Sequence, residues 1–253
     1  MSRRDRPRLD VRLVELGLAP SRARAQALIL AGRVTVAGRV VTKAGTPVDP
    51  GLPVEVAVPD HPYVSRGALK LEAALDTFGL DPSGWDCLDV GASTGGFTDL
   101  LLQRGAARVV ALDVGRGQLD WKLRNDPRVV VMEGVNARHL AAADLPFPVH
   151  LAVVDVSFIS LRLVVPPILP AILPGGHLVC LVKPQFEAGR DQVGKGGIVR
   201  DEAVRRRVVD ATVSGLAALG LELVGVVPSP IRGQKGNLEE LAVLRKPDPA
   251  ASR

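Results

Sequence analysis

The chain is short of cysteine, methionine and aromatic side chains: two Cys, two Met, and 3% Phe, Trp and Tyr together in 253 residues. Cys87 and Cys180 sit in separate apolar runs, with no metal-ligand spacing and no framework of bridges. Neither a disulfide scaffold nor a bound metal is expected. No uninterrupted run approaches the ~18 apolar residues that span a bilayer. The opening M-S-R-R-D-R-P-R has no apolar core behind its basic residues, unlike a secretory leader. A membrane-lytic helix needs Trp or Phe on an amphipathic face, and such residues are scarce here. The expectation is a cytoplasmic protein with no stable membrane association.

What is present fits a globular chain, with 47% hydrophobic and 23% charged residues and length for one large or two modest domains. The formal charge is +5, and its placement is uneven. Through Asp60 ten Lys and Arg face six acids, so this section carries +4 of the total. A small basic segment ahead of a nearly neutral one points to an anionic partner for the first part.

Within that part, Leu9, Leu13 and Leu16 share one helical face that ends at Gly17, and Ser21 stands where a second helix is capped before Gly32 stops it. Short strands follow at Val34–Val36, Val40–Val41 and Val54–Val58, the first two turned at Ala37-Gly38. The pattern R-L-D-x-x-L-x-x-x-G-L-x-x-S-R-x-x-A-x-x-L-I-x-x-G-x-V-x-V-x-G resembles the S-four-type RNA-binding domain. That resemblance implies RNA-backbone contacts for Arg22, Arg24, Arg33 and Arg39; an Arg-rich face that is merely solvated is the plain alternative.

Residues 60–64, D-H-P-Y-V, read as a linker. A helix capped by Ser65 follows, and on it Lys70, between Leu69 and Leu71, reads locally as a snorkelling surface residue. The centre of the second part is 86–98, D-C-L-D-V-G-A-S-T-G-G-F-T, a strand, a tight turn and a helix start, the arrangement that holds adenosine-bearing cofactors in α/β proteins. Strand and helix patterns then alternate, which predicts a parallel sheet with helices on both faces. The expected helix Leu161–Leu173 is punctuated by Pro166, Pro167 and Pro170. Turn Pro174-Gly175-Gly176 then leads into strand His177–Val182. Residues 185–199 read as a long polar loop of functional kind. Asp201 reads as a helix N-cap, Arg205, Arg206 and Arg207 as a solvated helix face, and His61, His139, His150 and His177 as structural or surface residues.

The turn G-A-S-T-G-G lacks the G-x-G-x-x-G spacing for a pyrophosphate, and no Walker lysine follows it. A nucleoside cofactor without a phosphate chain, S-adenosylmethionine, fits better; glycines that only permit tight packing remain the other reading. Asp89, Asp113, Asp155 and Lys183 all fall at strand ends, where an open parallel sheet forms its ligand crevice.

The segments S-R-G-A-L-K-L, L-D-V-G-A-S-T-G-G-F-T, V-D-V-S-F-I-S-L, L-V-K-P-Q-F-E and G-N-L-E-E, spread over most of the chain, resemble the FtsJ-like ribose methyltransferases. The whole chain is similar to the TlyA family, often labelled hemolysin. The resemblance implies a Rossmann-like class I methyltransferase sheet (65–253) behind a small α+β RNA-binding domain (1–59). It also implies 2′-O-methylation of cytidine ribose in ribosomal RNA, free or within ribosomal subunits, with the large subunit foremost and the small subunit second. The family's Lys-Asp-Lys-Glu set falls on Lys70, Asp155, Lys183 and Glu239, the last chosen over Glu240 because the pattern G-N-x-E places the acid two residues after Asn237. Its cofactor contacts fall on Gly91, Ser93, Gly95, Gly96, Asp113 and Asn136. The linker departs from the family, with Tyr63 where Trp is common. Two other functions stand as alternatives: a membrane-active hemolysin, and an RNA-binding protein without catalysis.

Overall fold

The structure, a computed structural model, describes residues 6–19, 21–30, 32–56, 61–189, 192–194, 196–233 and 235–250. Outside them lie Ala57 and Val58 of the third expected strand, Asp60 of the expected linker, the junction at 59, and Arg190, Asp191 and Lys195 of the expected loop. Two compact units divide the chain, Met1–Pro62 and Tyr63–Arg253.

In the first unit, helices α1 (Leu9–Glu15) and α2 (Arg22–Leu30) pack with strands β1 (Val34–Val36), β2 (Arg39–Val40) and β3 (Val54–Val56). The sheet order is β2-β1-β3, antiparallel throughout. Leu9, Leu13, Ala25, Ile29 and Val34 form its core. Ser21 Oγ accepts from the Arg24 N–H at 3.2 Å, a side-chain cap for α2. Between β1 and β2, Ala37 and Gly38 both take positive φ (48° and 74°), as a two-residue hairpin turn requires.

The second unit opens with α3 (Ala68–Phe78), then β4 (Asp86–Val90), α4 (Gly96–Gln103), β5 (Arg108–Asp113), α5 (Trp121–Arg124) and β6 (Val129–Glu133). It continues through β7 (Val149–Val154), α6 (Leu161–Ile168), β8 (Ile172–Val182), α7 (Pro184–Glu187), α8 (Glu202–Ala217), β9 (Glu222–Pro228) and β10 (Glu240–Arg245). The seven strands lie in the order β6-β5-β4-β7-β8-β10-β9. From β4 the chain winds outward to β5 and β6, then returns to β7 on the other flank. The switch point between β4 and β7 therefore opens a crevice at the strands' carboxyl ends.

Period-two alternation explains why these strands read as unbroken apolar runs. Leu88, Val90, Val110, Leu112, Ala152 and Val154 face α6 and α8. Cys87, Val109, Ala111, Leu151 and Val153 face α3 and α4. Both faces are covered, so neither sequence parity is polar. Cys87 and Cys180 are buried and free, one in each layer, and burial pushes the Cys87 thiol up to about 12.

Three expectations change. The sheet is not wholly parallel: β10 runs antiparallel to both β8 and β9. Among the described residues no crossover helix lies between β9 and β10, and a direct connection returns a strand antiparallel. The helix expected to reach Leu173 stops at Ile168, because Pro170 has no N–H to continue it. Strand β8 then begins at Ile172, and its pairing jumps from Val149↔Ile172 to Leu151↔His177 across the Pro174-Gly175-Gly176 kink. Finally, Ser65 does not cap α3. That helix starts at Ala68, three residues on, and Gly67 stands at the cap position without a side-chain bond. Asp201 does cap α8, accepting from the Ala203 and Val204 N–H groups at 2.8 and 3.1 Å.

Candidate active site

The turn from β4 to α4 is built by glycine. Gly91 has φ +87°, and a Cβ there would lie 2.4 Å from the Asp155 carbonyl oxygen. Gly95 has φ +95°, and a Cβ would meet the Leu123 and Leu119 methyls. Close approach and left-handed backbone together exclude other residues at both positions. Gly96, the first residue of α4, packs against Ser65, whose hydroxyl a Cβ there would meet at 2.3 Å.

Around the turn stand three carboxylates. Asp113, at the end of β5, accepts from the Ser93 N–H at 2.8 Å and the Gly115 N–H at 2.7 Å, tying two loops together. Ser93 is exposed and takes a positive φ of 51°. Asp89 is fully buried; one oxygen accepts from the Thr98 N–H and Oγ at 3.0 and 2.7 Å, and the other has no partner. Burial, with Asp155 and Asp113 nearby, pushes its carboxyl up to about 7. Asn136, exposed beyond β6, caps the turn Ala137–His139 through the Arg138 N–H at 3.1 Å. The turn has no Lys or Arg of its own. A pyrophosphate would meet carboxylates there, whereas a nucleoside carrying positive charge is suited to them.

The remaining expected residues lie in two ion pairs. Lys70 of α3 is 8% exposed, and its Nζ donates to Glu239 Oε2 at 2.6 Å; Glu239 is 4% exposed. The local reading of Lys70 as a snorkelling surface residue is thus corrected. Its helix face turns toward the segment before β10, and burial of a lysine there requires the carboxylate. Removing one partner of a buried pair costs about 3–5 kcal/mol. Gly233 leaves room for the Glu239 carboxylate, which a Cβ would meet at 2.5 Å. Glu240, next in sequence, pairs instead with Arg205, which is therefore not simply solvated.

Lys183, just past β8, is also 8% exposed. Its Nζ lies 2.6 Å from Asp155 Oδ1, an ion-pair distance without hydrogen-bond angles, and donates to Ser157 Oγ at 2.8 Å. Gln185 connects the two pairs: its Nε2 donates to Glu239 Oε1 at 3.3 Å, two residues after Lys183. The structure thus brings Lys70 to Glu239 and Lys183 to Asp155 at the crevice that the Gly91–Gly96 turn also lines.

Ser157, Phe158, Gln185 and Asn237 gained no role from their residue types. Phe158 is 87% exposed with φ +65°, its ring 4.9 Å from that of Phe186. Asn237 is buried, bonding the Val199 N–H and the Gly197 carbonyl, and so holds residues 197–199 near Glu239. Motif resemblance touches all four, but a strained backbone or a bridging amide leaves no compositional trace. Tyr63 is buried, donates to Glu72, and burial pushes its phenol up to about 12.

In the first unit, Arg22 Nε donates to the buried Asp10 at 2.9 Å, with Arg8 and Gln26 on the same carboxylate. The Arg8 hydrogen bond, first among these, holds the Asp10 carboxyl well below the usual range. Arg22 keeps 57% of its side chain exposed. Arg24 and Arg39 are exposed, and Arg33 is half-buried.

Sheet order, glycine turn and acidic crevice together define a methyltransferase-type α/β domain. Residues 63–246 match the FtsJ-like methyltransferase family and residues 7–54 the S4 domain. With both, the chain belongs to the TlyA family of FtsJ-like methyltransferases. It is 48% identical to the 16S/23S rRNA (cytidine-2′-O)-methyltransferase TlyA of Mycobacterium tuberculosis over 95% of this chain and 90% of that one. A hemolysin-labelled structure from Streptococcus thermophilus superposes with TM-score 0.76 at 43% identity, covering 96% of this chain and 89% of that one. An S-adenosylmethionine dependent methyltransferase from Mesorhizobium loti shares the fold alone, with TM-score 0.51 and 16% identity over 69% of this chain and 96% of that one.

Proposed function

We propose that this protein transfers a methyl group from S-adenosylmethionine to the 2′-hydroxyl of a cytidine ribose in ribosomal RNA, with large-subunit rRNA the first candidate and small-subunit rRNA the second. The observation that carries the reading is the buried Lys183, held by Asp155 and Ser157 at the mouth of an acidic nucleoside crevice. The division of labour is residues 1–59 for RNA, 60–64 as linker and 65–253 for methyl transfer.

When bound, the cofactor supplies a methyl group on a positively charged sulfur. Gly91, Ser93, Gly95, Gly96 and Asn136 would hold it, and Asp113 would accept from its ribose hydroxyls. The Asp89 and Asp155 carboxylates favour its positive charge. A ribose hydroxyl is a weak nucleophile at neutral pH and needs help with its proton. Lys183 receives or steers that proton, and Asp155 fixes the Lys183 amine. Lys70 and Glu239 orient the hydroxyl, so that alignment provides much of the acceleration. The exposed ring of Phe158, beside Ser157, offers a face for a nucleobase. Arg22, Arg24, Arg33 and Arg39 bind RNA phosphates. Among the described residues no helix is long and apolar enough to cross a membrane. A ribosomal RNA substrate favours the cytoplasm as its place of action.

Labelled methyl transfer to rRNA tests the reading. Lys183→Ala is expected to lower turnover by about 10²–10⁴-fold, the range for general-base help, while cofactor affinity by calorimetry stays within about twofold. Wild-type turnover in that variant refutes the assignment of Lys183.

A further inference from the structure

Two segments carry the reactive groups: 155–161, which follows β7, and 183–187, which follows β8. They run side by side and are tied three times. At the first tie Lys183 meets Asp155 and Ser157. At the second the Phe158 and Phe186 rings meet at 4.9 Å. At the third, Glu187 Oε2 accepts from Ser160 Oγ at 2.6 Å and Glu187 Oε1 accepts from the Leu161 N–H at 2.8 Å.

The third tie has features that the other two lack. Leu161 is the first residue of α6, so its N–H has no partner within the helix. Ser160 is the N-cap of α6, its Oγ accepting from the Arg162 N–H at 3.2 Å. A carboxylate from a distant segment thus completes the start of α6, where negative charge is also favoured by the helix dipole. Helix α7 has only four residues, Pro184–Glu187, too few to hold its own shape. Between the ties, Phe158 keeps φ +65°. A backbone in that region costs about 1–3 kcal/mol and persists only when its surroundings hold it. By contrast, the cofactor turn has separate anchors, since the Gly91 and Ala92 N–H groups bond the Leu112 carbonyl.

We propose that Glu187 is a positioning residue: its bonds to Ser160 and Leu161 lock the Lys183 turn onto the Asp155–Ser160 segment and so set the place of the Lys183 amine. The consequence for turnover rests on the methyltransferase reading above; the placement of Lys183 does not. Glu187→Ala frees both donors at the start of α6 and releases α7. Glu187→Gln keeps the geometry, because its carbonyl oxygen accepts from Leu161 and its NH2 donates to Ser160 Oγ.

The test uses the full chain and two readouts. Acylation of individual lysines, followed by mass spectrometry, reports Lys183 without any substrate. Glu187→Ala is expected to raise Lys183 labelling several-fold against the other lysines, Ser160→Ala to raise it less, and Glu187→Gln to restore protection. In rRNA methylation, Glu187→Ala is expected to lower kcat by about 10–100-fold, as a displacement of about 1 Å does, with RNA KM and cofactor Kd within about twofold. Unchanged Lys183 labelling in a folded Glu187→Ala overturns the proposal. So does a kcat loss matched by an equal loss of cofactor affinity, which marks a general structural role. If wild-type protein methylates no rRNA while Glu187→Ala still exposes Lys183, the methyltransferase reading fails and the clamp stands.

Discussion

Asp89→Asn should turn a falling stability curve into a flat one. In the folded chain this carboxyl is held at about 7 rather than 3.8, first by burial and then by Asp155 and Asp113, against the opposing hydrogen bonds from Thr98. Between those two values the folded state holds a proton that the unfolded chain has released. Stability from this group is therefore fully present below about pH 4 and is lost as pH rises through about 7. Each decade of pH costs about 1.4 kcal/mol, so the whole interval amounts to about 4 kcal/mol. Asn keeps an oxygen for the Thr98 N–H and Oγ but places an amide where one Asp89 oxygen has no partner. That orphaned amide costs about 1–3 kcal/mol at every pH. The wild-type protein should then be the more stable at pH 4 and the variant at pH 8, the curves crossing between about pH 4.5 and 6. Both tryptophans, Trp85 and Trp121, lie in the second unit, so urea unfolding followed by their fluorescence reports that unit. A wild-type minus variant difference that stays constant from pH 4 to pH 8, or that rises with pH, refutes the reasoning.

Two further outcomes are expected. Gly91→Ala forces a Cβ into a left-handed backbone and within 2.4 Å of the Asp155 carbonyl oxygen. It should cost more than the ~1–2 kcal/mol of the backbone alone and weaken cofactor binding, both measurable by calorimetry; an unperturbed variant shows that the turn is looser than described. RNA affinity of the first unit's arginines should fall with salt, with a log–log slope of about −0.7 to −0.9 per phosphate neutralised. Arg39→Ala, on exposed β2, should reduce that slope by about one phosphate, and a slope that does not change removes Arg39 from the interface.

The sequence alone determined what depends on local pattern. The two-residue turn at Ala37-Gly38, the cap at Asp201, the strand–turn–helix around Gly91 and the alternating layers were legible because turn chemistry and period are written in adjacent residues. The antiparallel direction of β10 was not legible, since a strand takes its orientation from which neighbours it finds. Nor was the end of α6, where proline outweighed an apolar pattern that ran on.

The candidate site divides in the same way. The glycine turn and the acids at strand ends could be read from the chain. The partner of Lys70 could not: Glu239 lies 169 residues away, and by its own helix Lys70 reads as a surface residue. Only the sheet order β4-β7-β8-β10 brings α3 against the segment before β10 and sets Lys183 beside Asp155. Backbone strain at Phe158 and the reach of Glu187 to the start of α6 are likewise tertiary facts. Local sequence specifies a backbone conformation within a few residues. Which charges meet in a low-dielectric crevice is decided by long-range packing, and that packing alone makes burying them tolerable.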